Sequence, residues 1–121
     1  MPNPYVFRKA ERLCSRKRIE ALFAGGSRSL SAYPLRAVFR KADGGQLLIS
    51  VSKRHFKHAV DRNRVKRLIR EAYRLNKHLL TNQFGPGRLD LALIWMSDEM
   101  ADFSTIEDRV RNLLQRIGEQ L

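Results

Sequence analysis

From residue 60 onward the apolar positions recur at helical spacing. Val65, Leu68, Ile69, Ala72, Leu75 and Leu79 share one face of a helix expected over roughly 60–80. Arg62, Asn63, Lys66, Arg67, Arg70, Arg74 and Lys77 fall on the other side. Asp61 turns toward the apolar side, so only Glu71 dilutes the basic face. One face can dock on a core while the other offers a cationic ridge to a polyanion. An ordinary solvated face mixes both signs. This one packs six Lys and Arg into the thirteen residues from Arg62 to Arg74.

The remaining pattern predicts a small sheet and two further helices. Pro2 and Pro4 prevent an early helix, so residues 1–14 are read as irregular. Tyr5 and Phe7 beside Arg8 and Lys9 suit either stacking on bases or packing on the domain. Ser15 is placed to cap a helix over 16–24, with Ile19, Leu22 and Phe23 on one face and Gly25-Gly26 as its stop. Residues 27–32 read as a polar loop. Tyr33 to Ala42 and Gln46 to Ser52 read as strands joined by the hairpin signal Asp43-Gly44-Gly45. In the first, Leu35, Ala37 and Phe39 alternate with Arg36, Val38 and Arg40, which predicts one buried face and one partly basic face. Leu47, Ile49 and Val51 alternate with Leu48, Ser50 and Ser52 in the second.

A loop around Gly85-Pro86-Gly87 follows the basic helix. Leu89 to Met96 is a nearly continuous apolar strand, as expected at the centre of a sheet. Ser104-Thr105-Ile106-Glu107 reads as a capping box opening a helix over roughly 105–117, with Ile106, Val110, Leu113, Leu114 and Ile117 inward and Gly118 as its end. The order helix, strand, strand, helix, strand, helix predicts an α/β (α+β) sandwich. Its last strand follows a long helix, which suits a parallel βαβ crossover.

At 121 residues the chain is read as a single domain, 1–121, with one modest core. Its net charge of +12 opposes folding through self-repulsion that a bound polyanion would relieve. RNA, DNA or an anionic membrane surface fits, and nothing specific favours the membrane. The charge is uneven. Residues 1–88 hold 21 Lys and Arg against 5 Asp and Glu, and residues 89–121 hold 3 against 7. The acidic C-terminal part is therefore expected to face away from the polyanion or to brace the basic part from behind. Cys14 is the only cysteine, which excludes an internal disulfide and a cysteine-rich zinc site and suits a reduced cytoplasm. No signal peptide is visible, and the longest apolar run, Leu91 to Met96, is too short to span a bilayer.

Val51-Ser52-Lys53-Arg54, followed by Ala59-Val60-Asp61-Arg62-Asn63-Arg64-Val65-Lys66-Arg67-Leu68-Ile69-Arg70-Glu71, resembles the V-S-K-K … A-x-x-R-N-R-x-K-R-x-x-R-E block of the bacterial ribonuclease P protein family. Arg12-Leu13 with Ile19-Glu20-Ala21-Leu22-Phe23 is similar to that family's first helix, and the closing strand and helix also fit. The resemblance spans nearly the whole chain, with its specificity in about twenty residues. It implies a sandwich like a domain of ribosomal protein S5, with a mostly antiparallel sheet and a βαβ crossover of left-handed sense, against the usual rule.

The resemblance further implies that a partner RNA, using Mg2+ bound mainly by itself, hydrolyses precursor tRNA at the mature 5′ end. This chain would bind that catalytic RNA and the 5′ leader, with no organic cofactor, membrane or obligate protein partner. Arg62, Asn63, Arg64, Lys66, Arg67 and Arg70 would contact the catalytic RNA, with Lys53 and Arg54 nearby and Arg74 further along the same ridge. The planar guanidinium grips phosphate bidentately. The leader would lie in a cleft between the sheet and the first helix, near Phe23, Arg36, Phe39 and Ser50. Phe23 and Phe39 suit stacking and core packing equally. Ile19 stands where some relatives carry an aromatic residue, and Arg36-Ala37-Val38 has no matching aromatic.

Two other classes compete. His55, His58 and Asp61 could be imagined as a protein nuclease site, but they match no motif with a mechanism. A general RNA-binding or ribosomal protein shares the charge, and only the ordered motif argues against it. A DNA-binding helix-turn-helix fits poorly, because strands precede the basic helix.

Overall fold

The structure, a computed structural model, describes residues 16–25, 27–41, 46–80 and 89–120. The irregular segment 1–14, Cys14, the Ser15 cap, the Asp43-Gly44-Gly45 turn and the Gly85-Pro86-Gly87 loop lie outside the described residues. The elements are α1 (Arg16–Phe23), β1 (Arg28–Ala32), β2 (Leu35–Lys41), β3 (Leu47–Val51), α2 (Ala59–Asn76), β4 (Leu89–Trp95) and α3 (Phe103–Gln120). The strands form one sheet in the order β1-β2-β4-β3.

β4 occupies the interior position that its apolar run predicts. It pairs antiparallel with β2 and parallel with β3, so β3-α2-β4 is the βαβ unit. Its alternate residues enter two separate clusters. Leu89, Leu91, Leu93 and Trp95 meet α2 and α3, while Ala92 and Ile94 meet α1. A strand buried on both faces needs apolar residues at nearly every position.

The same placement corrects the hairpin expectation for β2 and β3. These strands do not pair, because β4 lies between them. The turn signal between them is local, whereas β4 reaches its slot from forty residues away in sequence.

Residues 27–32 are likewise not a loop. Arg28–Ala32 form β1, an edge strand antiparallel to β2. Leu30 and Ala32 pack against the core, and Arg28, Ser29 and Ser31 stay exposed. An edge strand needs few apolar residues, and polar ones discourage pairing with another chain. Tyr33-Pro34 forms the turn, so β2 starts at Leu35 rather than Tyr33. From α3, Arg109 Nε donates to Tyr33 O (2.9 Å) and Arg116 Nη1 to Ser31 O (2.8 Å).

The larger core sits between the sheet and the pair α2, α3, where Val65, Ile69, Ile106, Val110, Leu113, Leu114 and Ile117 are all inaccessible to solvent. The smaller one sits under α1, around Leu22, Val38 and Ala92. Gly25, at φ 105°, ends α1 in the left-handed region that glycine tolerates.

α3 starts at Phe103, two residues before the expected start at 105. Its cap is Asp102, whose Oδ1 accepts the Thr105 N–H at 3.0 Å. Hydrogen bonds from Thr105 hold the Asp102 carboxyl below the usual carboxylate range. Gly118 does not end the helix. It lies buried on the packed face, four residues after Leu114, and the helix continues to Gln120.

Candidate nucleic-acid interface

Helix α2 is held by a line of Val65, Ile69, Ala72 and Asn76, all buried. This is one residue away from the expected stripe, since Leu75 is only half-buried and Asn76 takes its place. A buried amide needs partners. Asn76 Nδ2 donates to Ala72 O (2.8 Å), and Asn76 Oδ1 accepts Arg111 Nε (3.4 Å) from α3. Helical spacing places position 76 on this line, but its polar side chain does not mark it as core.

With that line inward, Asn63, Arg64 and Arg67 are exposed, and Lys66 and Arg70 lie half-exposed beside them. The ridge thus stands as expected at its centre. Its ends differ. Arg74 donates from Nε to Glu71 Oε2 (3.1 Å) and from Nη2 to Oε1 (2.5 Å). That contact lowers the Glu71 pKa and raises that of Arg74. Arg74 is therefore partly neutralised within its own helix.

Arg62 stands seven and fourteen residues before Ile69 and Asn76, two and four turns, and so over the buried line rather than on the ridge. Its Nη1 donates to Phe56 O and Lys57 O, both at 2.9 Å. The sequence expectation put Arg62 on the open face. The structure has it grip the segment that leads into α2.

That segment carries Lys53 and Arg54, both exposed. It is a compact turn built on Ser52, whose carbonyl accepts the N–H groups of His55 (3.1 Å) and Phe56 (3.2 Å). The Ser52 hydroxyl accepts the Arg54 N–H (3.1 Å). Phe56 sinks into the larger core, and His55 Nδ1 meets Asp98 Oδ1 at 2.7 Å. Lys57, exposed in the same segment, extends the cationic surface and lies outside the motif residues. Charge alone would have pointed to it.

On the opposite sheet face, strand register aligns Ser31, Arg36, Ile94 and Ser50 in one row across β1, β2, β4 and β3. Next to it runs the row Ser29, Val38, Ala92 and Leu48, against which α1 packs Leu22. Arg36 and Ser50 therefore share the α1 side, and Phe23 at the end of α1 is 49% exposed. Phe39 is not part of this surface. It is 1% exposed and lies in the larger core, on the α2 side. Side chains along a strand alternate faces, so Phe39 must oppose Arg36 and Val38.

The imagined nuclease cluster is not assembled by this contact pattern. His55 Nδ1 is engaged by Asp98, and exposed His58 takes the N-cap position of α2 without a side-chain cap bond. Among the described residues no group of three or more His, Cys, Asp or Glu side chains converges on a metal position.

The Ribonuclease P family model matches residues 7–118. The ribonuclease P protein component of Porphyromonas gingivalis is 42% identical over 124 residues, spanning 97% of this chain and 90% of that protein. That of Chlorobium phaeobacteroides is 32% identical, spanning 91% of this chain and 86% of that protein. Among solved structures, the RNase P protein from Thermotoga maritima is similar with a TM-score of 0.71 at 31% identity, covering 88% of this chain and 96% of that one. The fold is also that of Staphylococcus aureus RNase P protein, with a TM-score of 0.71 at 23% identity, covering 90% and 96%.

Proposed function

This chain belongs to the Ribonuclease P protein family, and on that premise we propose how its surfaces serve the RNA-binding protein subunit of ribonuclease P. The holoenzyme is a ribonucleoprotein endoribonuclease that generates the 5′ end of tRNA. Its catalytic centre lies in the partner RNA. The protein contributes affinity and placement.

The observation that carries this reading is the outward ridge of α2. Asn63, Arg64 and Arg67 are exposed, with Lys66 and Arg70 at its side, because Val65, Ile69, Ala72 and Asn76 fix the helix from beneath. Such a ridge binds phosphates along a folded RNA and releases counterions. Lys53, Arg54 and Lys57 continue it across the preceding turn. Asn63, with both donor and acceptor, suits a base edge or ribose. Arg74 joins only by sharing itself with Glu71.

The α1 side of the sheet is the proposed path of the precursor-tRNA leader. Phe23 offers a ring to stack on, Arg36 a phosphate contact and Ser50 a hydroxyl. Ribonuclease P is metal-dependent, and magnesium is assigned to the RNA. No described helix is long and apolar enough to cross a membrane, and the proposed location is the cytoplasm.

The test is precursor-tRNA cleavage at low magnesium with partner RNA alone, protein alone, and both. Cleavage only with both supports the reading. Cleavage by protein alone overturns it and directs attention to His55 and His58.

A further inference from the structure

Lys53 and Arg54 are exposed on a compact turn whose Phe56 is buried in the larger core, and the turn is tied down from two further sides. Arg62 of α2 holds its C-terminal end through Phe56 O and Lys57 O. Asp98, in the segment between β4 and α3, holds its middle through His55 Nδ1 at 2.7 Å. These partners are far apart in sequence, with His55 and Asp98 separated by 43 positions. His55 is mostly shielded, with 18% of its side chain exposed, whereas Asp98 is 76% exposed. A carboxylate so placed does little for the core.

We propose that Asp98 is a positioning residue for RNA binding: through His55, and together with Arg62, it fixes the turn that presents Lys53 and Arg54 to the catalytic RNA. The inference rests on the reading of this turn as an RNA contact. Two long cationic side chains on a loose turn must be ordered when RNA binds, at a cost in affinity. A turn already fixed by Asp98 and Arg62 avoids most of that cost. An acidic residue thus assists the binding of a polyanion, and the acidic C-terminal part braces the basic part at this point.

The sign of the effect separates this role from plain electrostatics. Removing a negative charge beside an RNA site should by itself strengthen binding. Positioning makes the opposite prediction. The experiment titrates the transcribed catalytic RNA of the same ribonuclease P with the full chain at fixed salt. The variants are Asp98→Ala, Asp98→Asn, His55→Ala and the pair Lys53→Ala/Arg54→Ala, alone and combined with Asp98→Ala. Asp98→Ala is expected to weaken binding roughly two- to fivefold, the worth of an exposed pair of this kind. His55→Ala should match it, and Asp98→Asn, which keeps an oxygen for Nδ1–H, should fall between. In the Lys53→Ala/Arg54→Ala background the effect of Asp98→Ala should vanish, which general destabilisation would not produce.

Unchanged or tighter binding by Asp98→Ala overturns the proposal, as does an equal loss in both backgrounds. Those results leave the RNA contact itself intact if the Lys53→Ala/Arg54→Ala protein binds more weakly. Binding by that double variant at full strength would instead remove the reading of the turn as an RNA contact, and the proposal with it.

Discussion

Buried Asn76 on α2 accepts a hydrogen bond from Arg111 Nε on α3, while its own Nδ2 donates back to Ala72 O. Arg111 also reaches Glu107 Oε1 at 2.5 Å within α3. The buried side of α2 is thus joined to the last helix by a polar contact beside the apolar core. Replacing Asn76 with Ala should lower stability by about 1–3 kcal/mol, since it leaves a cavity and removes buried hydrogen bonds. Urea unfolding would measure this, and RNA affinity per folded molecule should change little.

Arg62 and Arg67 look equivalent in the motif, but the structure gives them different tasks. Arg67→Ala should weaken catalytic-RNA binding by about 1–3 kcal/mol and reduce the salt slope by about 1, with stability unaltered. Arg62→Ala should in addition lower stability by about 1–2 kcal/mol, because Phe56 O and Lys57 O lose a charged donor. Thermal melts beside filter-binding titrations across a salt series would separate the two. A stability loss for Arg67→Ala equal to that of Arg62→Ala would contradict the assignment.

Phe23 and Phe39 should diverge in the opposite sense. Phe39→Ala should cost about 3–5 kcal/mol of stability, as expected for a fully buried ring. Phe23→Ala, at a half-exposed position, should barely move the melting temperature. If leader bases stack on Phe23, the same substitution should weaken precursor-tRNA binding by about 1–3 kcal/mol while leaving mature tRNA binding unchanged. Equal effects on precursor and mature tRNA would argue against the leader path.

Acid should loosen the start of α3. Thr105 holds the folded-state pKa of Asp102 below its ordinary value. A carboxyl of that kind stabilises the fold fully above its unfolded pKa, and the contribution disappears as pH falls through the lowered folded value. Asp102→Ala should therefore be less stable than the parent at neutral pH, and the difference should close in the acid range below the usual carboxylate values. Glu71 behaves with the same sign through Arg74. Paired pH titrations of thermal unfolding would show whether the two curves converge.

The sequence by itself determined the elements whose patterns are local. The 3.6-residue period around Val65, Ile69 and Ala72 set α2 and its exposed ridge. The apolar run from Leu89 to Trp95 set an interior strand, and the alternation of Arg36 and Val38 with Leu35, Ala37 and Phe39 set the two faces of β2. That alternation already placed Phe39 opposite Arg36, so its removal from the leader surface was legible in the chain. Only the tertiary structure decided the rest. It inserted β4 between β2 and β3, made an edge strand of Arg28–Ala32 and moved the α3 cap to Asp102. It also turned Arg62 inward, buried Asn76 against Arg111 and joined His55 to Asp98. The physical reason is common to most of these. A helical or strand period reports which face a residue takes, but a strand slot or a side-chain partner is chosen among groups tens of residues apart. That choice is made only when the whole core closes around them.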